Sequence, residues 1–356
     1  MKYRYTLVFF AVFFISHSAL FAQVSNPEGD IQPASDDDIW AKTLEGSHYN
    51  EMWNYQFYLN DDITVHIAFS VANFGSFKSP VSGVQMSIYN LEKGDVYQVS
   101  REYPIHYLIQ DKDSYMFQLR DERTIYFKGK LPNEHEVRVG FSKDDVTYDV
   151  DLKLSNIHQG LKWGDGIFHI GDEEAGIITH IPYAEVQGTI KVNNIEKTVR
   201  GTAYMDHTYQ DQAATDLVVS GYRFVHQTDK QNWDHLYFLL PDYSDDNPTV
   251  GFRLGNNDGT LSVHGIDYIN RLTMGEAFGV DAARILDLRL DDSTDIRLSR
   301  TKDFEKFSVL SELGWLAKKA AKSFLGGEII YIRGEAVLME SGNRPKRGYY
   351  NFFKID

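Results

Sequence analysis

Cysteine is absent from the 356-residue chain. That excludes disulfide staples, thiolate nucleophiles, zinc knuckles and iron–sulfur clusters. Positive charge is scarce: 36 Lys and Arg face 51 Asp and Glu, for a formal net charge of -15 and a pI of about 5.2. So acidic a chain lacks the phosphate-neutralising surface that nucleic acid binding needs, and it is no polybasic membrane binder. No GxSxG elbow, HExxH helix, GxGxxG turn or Walker loop occurs, so no cofactor is expected. Proline is sparse at 9, whereas Tyr and Phe number 22 each, a balance that favours strands.

A long apolar run occurs only at the start. Lys2 and Arg4 precede the unbroken run Leu7 to Ile15, and the small residue Ala22 precedes Gln23. The run is too short to span a bilayer. Residues 1–22 read as a secretory signal peptide, so the expected location is periplasmic or extracellular, with no integral membrane span in the mature chain. An uncleaved anchor is the alternative reading. Residues 23–39 (polar, with Pro, Gly and the run Asp36 to Asp38) read as a linker.

Period-2 alternation dominates the remainder. Ile63, Val65, Ile67, Phe69 and Val71 alternate with Thr64, His66, Ala68 and Ser70, and Val146 to Leu154 and Leu286 to Leu290 follow the same rule. Each pattern buries one face of an antiparallel strand. Turn signals at Lys93-Gly94-Asp95, Leu131-Pro132-Asn133, Asn193-Asn194, Asn257-Asp258-Gly259 and Ser341-Gly342-Asn343 separate them. The spacing suggests barrels or sandwiches, and the length suits two eight-stranded barrels better than one. One amphipathic helix is expected over Lys306 to Leu325, ended by Gly326-Gly327.

The segment His180 to Gln210 differs from its surroundings. Gly188 to Val192 and Lys197 to Ala203 form a hairpin across Asn193-Asn194, and the second strand runs into Tyr204-Met205-Asp206-His207. Alternation puts Tyr204 and Asp206 on one face. In an apolar cavity a desolvated Asp206 would become a proton donor, with Tyr204 beside it and His207 adjacent. The residues leave three readings open: a catalytic group, a ligand contact, or a staple between domains. Trp233-Asp234-His235 forms a second Asp-His pair, and Tyr222 and His226 share a strand face nearby. His180, Tyr222, His226, Trp233 and His235 are therefore candidate ligand-binding residues. His207, His226 and His235 would share a metal only if strand register converged, and no metal site is expected.

The stretch Gly188…Arg200-Gly201-Thr202-Ala203-Tyr204-Met205-Asp206-His207-Thr208-Tyr209 resembles the signature of the tandem lipocalin-like (calycin) superfamily. That group includes carotenoid 1,2-hydratase (hydroxyneurosporene synthase), bacterial AttH proteins, fungal Diels–Alderases and yeast survival-factor proteins. The resemblance is specific over about thirty residues and diffuse elsewhere. It implies an all-β chain of two consecutive lipocalin-like antiparallel β-barrels with one helix, over residues 40–203 and 204–356. In the carotenoid hydratases a Tyr-x-Asp pair serves catalysis, and Tyr204 and Asp206 match it. Their upstream His-x-Trp has only a partial counterpart here, His180-Ile181-Pro182, which lacks the Trp.

The expected function is an exported binder or carrier of a hydrophobic small molecule such as a lipid or isoprenoid. The alternative is a hydratase, isomerase or cyclase acting on such a molecule by acid catalysis at Asp206. A carbohydrate-binding β-protein ranks third.

Overall fold

The computed structural model describes residues 24–355, apart from 76–77, 121–122, 213–216, 242–248, 309–321 and 323–326; at 270 and 271 only the backbone is described. The signal segment lies outside the described residues, as does most of the expected helix. The first residues of that helix, Lys306 to Ser308, instead end the strand Asp295–Ser308, where they pair with Ile332, Tyr331 and Ile330.

The chain is all-β, built on two sheets. The path through the first sheet runs Val96–Pro104, Val81–Tyr89, Thr64–Phe74, His48–Leu59, Ile195–Gln210, Glu173–Val192, Val146–Ser155, His135–Lys143, Ile125–Lys128, Met116–Leu119 and Leu108–Asp111. Side chains tie this curled sheet across its opening: Arg101 donates to the Ser142 carbonyl at 2.8 Å and Lys143 to the Ser100 carbonyl at 2.9 Å. The second sheet is a closed antiparallel barrel of consecutive strands: Ser220–Asp229, Asn232–Leu240, Val250–Asn257, Thr260–Ala277, Val280–Leu290, Asp295–Ser308, Ile329–Glu340 and Lys346–Ile355. Closure leaves it no free edge.

Alternation works as the sequence predicts: one face of each strand goes inward. In the first unit Trp53, Tyr55, Phe57, Phe69, Phe117 and Phe127 fill the interior, with Trp53 and Phe117 ring centroids 4.5 Å apart. In the second, Tyr222, Phe224, Phe238, Tyr350 and Phe352 do the same. Aromatic residues that suited a cavity lining are thus spent on packing, because large rings on facing strands meet at the centre of a barrel this size. A third apolar cluster, including Phe168, Ile177, Trp233, Val250 and Phe252, joins the two units along one flank.

Two expectations about organisation change. The segment read as a linker contributes two short strands, Val24–Ser25 and Ile31–Pro33, which pair with Ile167–Ile170 and Leu161–Trp163. Asn26 goes further and accepts from the Gly251 backbone of the second barrel at 2.8 Å. A polar segment can add strands without an apolar face because the ladder is made by backbone. The expected boundary between 203 and 204 falls inside the strand Ile195–Gln210, which stays paired to His48–Leu59 as far as Gln210.

The motif glycines have a steric cause. A Cβ at Gly188 would sit 1.9 Å from the Asp151 carbonyl oxygen, and one at Gly201 would sit 2.0 Å from that of Tyr58. Both let the long hairpin press against its neighbours. Gly201→Ala should therefore lower the unfolding free energy by about 1–3 kcal/mol. Urea denaturation checks this, and an unchanged midpoint would refute the steric account.

Candidate active site at the seam between the barrels

The register of the first sheet sets out the site. Tyr204 lies opposite Gln56, then His66, then Ser87 on successive strands; Asp206 lies opposite Asn54, then Ala68, then Gln85. Their neighbours in sequence, such as Tyr55, Phe57 and Ile67, point into the core. These two rows therefore cover the outer wall of the first unit. The second barrel turns its own outer wall towards them, with the row Tyr237, Arg223, Asn351, Arg333 and Glu305 across five strands.

Asp206 has no exposed surface. Asn54 Nδ2 donates to its Oδ1 at 2.9 Å, and Arg223 Nη2 to the same oxygen at 3.0 Å, with Arg223 Nε against Oδ2. The expected proton donor is thus one half of a buried ion pair between the barrels. Burial alone would lower the Arg223 guanidinium, but the Asp206 carboxylate outweighs it and holds it above its ordinary value. The Tyr204 phenol is raised well above its ordinary value by burial first and by Asp206 second. His235 meets Tyr204 edge-on at 4.7 Å, and burial brings its imidazole down to about 3. Trp233 stacks on His235 at 4.7 Å and belongs to the apolar flank. A second link crosses the seam at its other end: Glu305 accepts from Ser87 Oγ at 2.6 Å, Arg333 Nη1 at 2.9 Å and Gln98 Nε2 at 2.8 Å.

The remaining candidates lie elsewhere. His207 faces the other way, stacked on Trp53 at 4.4 Å; its Nε2 meets Glu51 Oε1 at 2.8 Å and its Nδ1 the Asp38 carbonyl at 3.1 Å. Glu51 also accepts from the backbone N–H groups of Lys42 and Thr43, so this cluster ties down the N-terminal segment. His180 sits 5.8 Å from His207, at a bulge between Thr179 and Ala184 where Pro182 offers no N–H to the ladder. It borders a shallow recess with Ser35, Ile39, Tyr115 and Leu131, of about 360 Å³ including open solvent. Tyr222 points into the second barrel and donates to the Ala283 carbonyl at 2.5 Å. His226 meets the Arg347 carbonyl at 2.6 Å. Asp234 is held by Arg253 and Lys346 at 2.7 and 2.6 Å.

His207, His226 and His235 thus have separate partners. Among the described residues, the one cluster spaced for a metal is exposed, at His264, Asp291 and Asp292. Arg223, Asn54, Gln56, His66 and Arg333 escaped the sequence reading. A signal for them existed: in Met52-Trp53-Asn54-Tyr55-Gln56-Phe57 polar residues alternate with rings, and Arg223 stands alone between Tyr222 and Phe224.

No protein family and no curated protein matches this sequence. Solved structures do match it. AttH from Nitrosomonas europaea superposes with a TM-score of 0.62 at 11% identity, over 90% of this chain and 97% of that one. Kievitone hydratase from Nectria haematococca gives 0.57 at 12%, over 92% and 97%. CghA with Sch210972 gives 0.58 at 12%, over 87% and 89%. At these identities the likeness is one of fold, and it spans both sheets.

Proposed function

We propose, from the premise that this chain has the tandem lipocalin-like fold of AttH, kievitone hydratase and CghA, that it is an enzyme of the hydratase, isomerase or cyclase type. Its substrate is a hydrophobic small molecule held at the seam between the barrels. One observation carries this reading. A seam built only for adhesion would resemble the apolar flank around Phe168 and Trp233, yet this part is lined with buried Tyr204, Asp206, Arg223, His66 and Gln56. Buried polar groups are costly and concentrate where chemistry needs them. The filled barrel interiors argue against carriage inside either barrel. That one of the similar structures is named a hydratase adds to the enzymatic reading.

In the proposed reaction Tyr204 donates a hydrogen bond to the substrate oxygen at which negative charge develops. Asp206 and Arg223 together hold the phenol in place. Hydration adds one water across a double bond; isomerisation or cyclisation keeps the molecular formula. The segment of residues 1–22 supports export, so the proposed setting is outside the cytoplasm.

The test is untargeted mass spectrometry of a hydrophobic extract from the native host, incubated with the purified full chain. Wild type should convert a species to one of equal mass or one water heavier, and Tyr204→Phe should cut the rate by about 10²–10⁴-fold while the substrate is still retained. Retention of an unaltered ligand by both proteins would instead mark a carrier.

A further inference from the structure

The seam carries a pattern that the proposed reaction does not use. Between Asn54 and Gln85 the row holds only the methyl group of Ala68, while His66 and Gln56 stand in the row alongside. Ala68, 1% exposed, is therefore the short side chain in a wall of longer ones, with Arg223 and Arg333 on the opposing barrel. Buried side-chain atoms around it make no hydrogen bond to the protein: Gln56 Nε2, Gln85 Nε2, Arg333 Nε, both ring nitrogens of His66, and Asn351 Oδ1. Gln56 and His66 are 6% and 5% exposed, so water does not reach them freely. Burial first, then Arg333 and Arg223, hold the His66 imidazole well below its ordinary value, so it is neutral and offers one N–H and one acceptor. The inventory is then four donors against two acceptors. Along the same seam lie partly exposed apolar surfaces: Tyr331 with its hydroxyl 4.0 Å from Met52 Sδ, Phe353 at 6.0 Å from the Tyr331 ring, and Tyr237 under Arg223.

We propose that the unpartnered polar groups around Ala68 receive the polar head of the substrate, and that this head is rich in acceptor oxygens, a carbonyl or carboxylate on an otherwise hydrophobic molecule. The Gln56, Gln85, His66 and Arg333 donors meet those oxygens, and the Tyr331, Tyr237 and Phe353 rings take the apolar body. This rests on the seam being the substrate site, and it adds which chemistry the seam selects. Each unmade hydrogen bond at a buried donor is expensive, so a ligand without oxygens binds more weakly.

The test uses three probes of equal bulk on the full chain: 2-acetylnaphthalene, 2-naphthoate and 2-ethylnaphthalene, with affinities read by fluorescence titration. At least one oxygen-bearing probe should bind about tenfold tighter than 2-ethylnaphthalene, the worth of one or two net hydrogen bonds. Gln85→Leu and His66→Phe should each shrink that ratio by about threefold or more while 2-ethylnaphthalene binding holds. Ala68→Leu should weaken binding of all three by about tenfold or more in protein that circular dichroism shows to be folded. A ratio near one, or one that both variants leave unchanged, overturns the inference. So does absence of binding by every probe. The conversion assay is independent of these probes: if wild type converts its substrate and Tyr204→Phe loses that conversion while the probe ratio fails, the head-group inference falls and the enzymatic reading stands.

Discussion

Arg223→Met should lower the unfolding free energy by about 3–5 kcal/mol, the cost of breaking a buried ion pair from one side. The side chain reaches from the second barrel to a carboxylate on the first that has no exposed surface. Removing the guanidinium leaves the Asp206 carboxylate with neutral partners such as the Asn54 amide. An uncompensated buried charge is far costlier than the net worth of the pair. The double variant Arg223→Met with Asp206→Asn should recover most of the loss, since the charge disappears with its partner. Guanidinium denaturation of the four proteins closes the cycle. If Arg223→Met alone unfolds at the wild-type midpoint, the ion pair does not join the barrels.

Acid should unfold this protein well before its carboxylates are all protonated. His135 and His235 are buried and held at about 4 and about 3, and His66 and His180 also lie well below their ordinary value, in each case chiefly through burial. For each, the unfolded chain takes a proton near pH 6.5 while the folded chain refuses it. The contribution to stability is intact above pH 6.5 and declines as pH falls towards the folded value. Each histidine adds a slope of about 1.4 kcal/mol per pH unit in that window. His135 alone accounts for on the order of 3 kcal/mol by pH 4. Asp38 and Asp234 act lower: their depressed carboxylates stabilise above the ordinary carboxylate range and that contribution is lost only as pH falls through their folded values. Urea midpoints between pH 8 and pH 4 should therefore fall steeply below 6.5. Changing His135 and its partner Tyr55, 2.8 Å away, both to Phe should flatten part of that slope. A stability flat from pH 7 to pH 4 would contradict the burial of these imidazoles in neutral form.

Much of the fold was legible because strand burial is a local property. Ile63 to Val71 and Val146 to Leu154 announce which face is buried by alternation alone, and the strands Thr64–Phe74 and Val146–Ser155 follow. The Tyr204 and Asp206 pairing on one face was legible for the same reason. The two strands before residue 34 were not, since Val24–Ser25 and Ile31–Pro33 carry no apolar period and are held by their partners' backbones. The start of the expected helix misled because Phe307 fits a helical stripe as well as a strand whose register shifts near Asp303.

By itself the sequence determined the class of the fold, the inward faces of its strands, the lack of thiol chemistry, and the hairpin that carries Tyr204 and Asp206. Only the tertiary structure decided what that hairpin faces. Arg223 stands 17 residues from Asp206 and Asn54 stands 152 away, and both arrive at one carboxylate. His207, next in sequence to Asp206, turns to Glu51 instead. Alternation assigns a side chain to a face, whereas its partner is chosen by how one curled sheet packs against another, a matter of register and distance that no local pattern encodes.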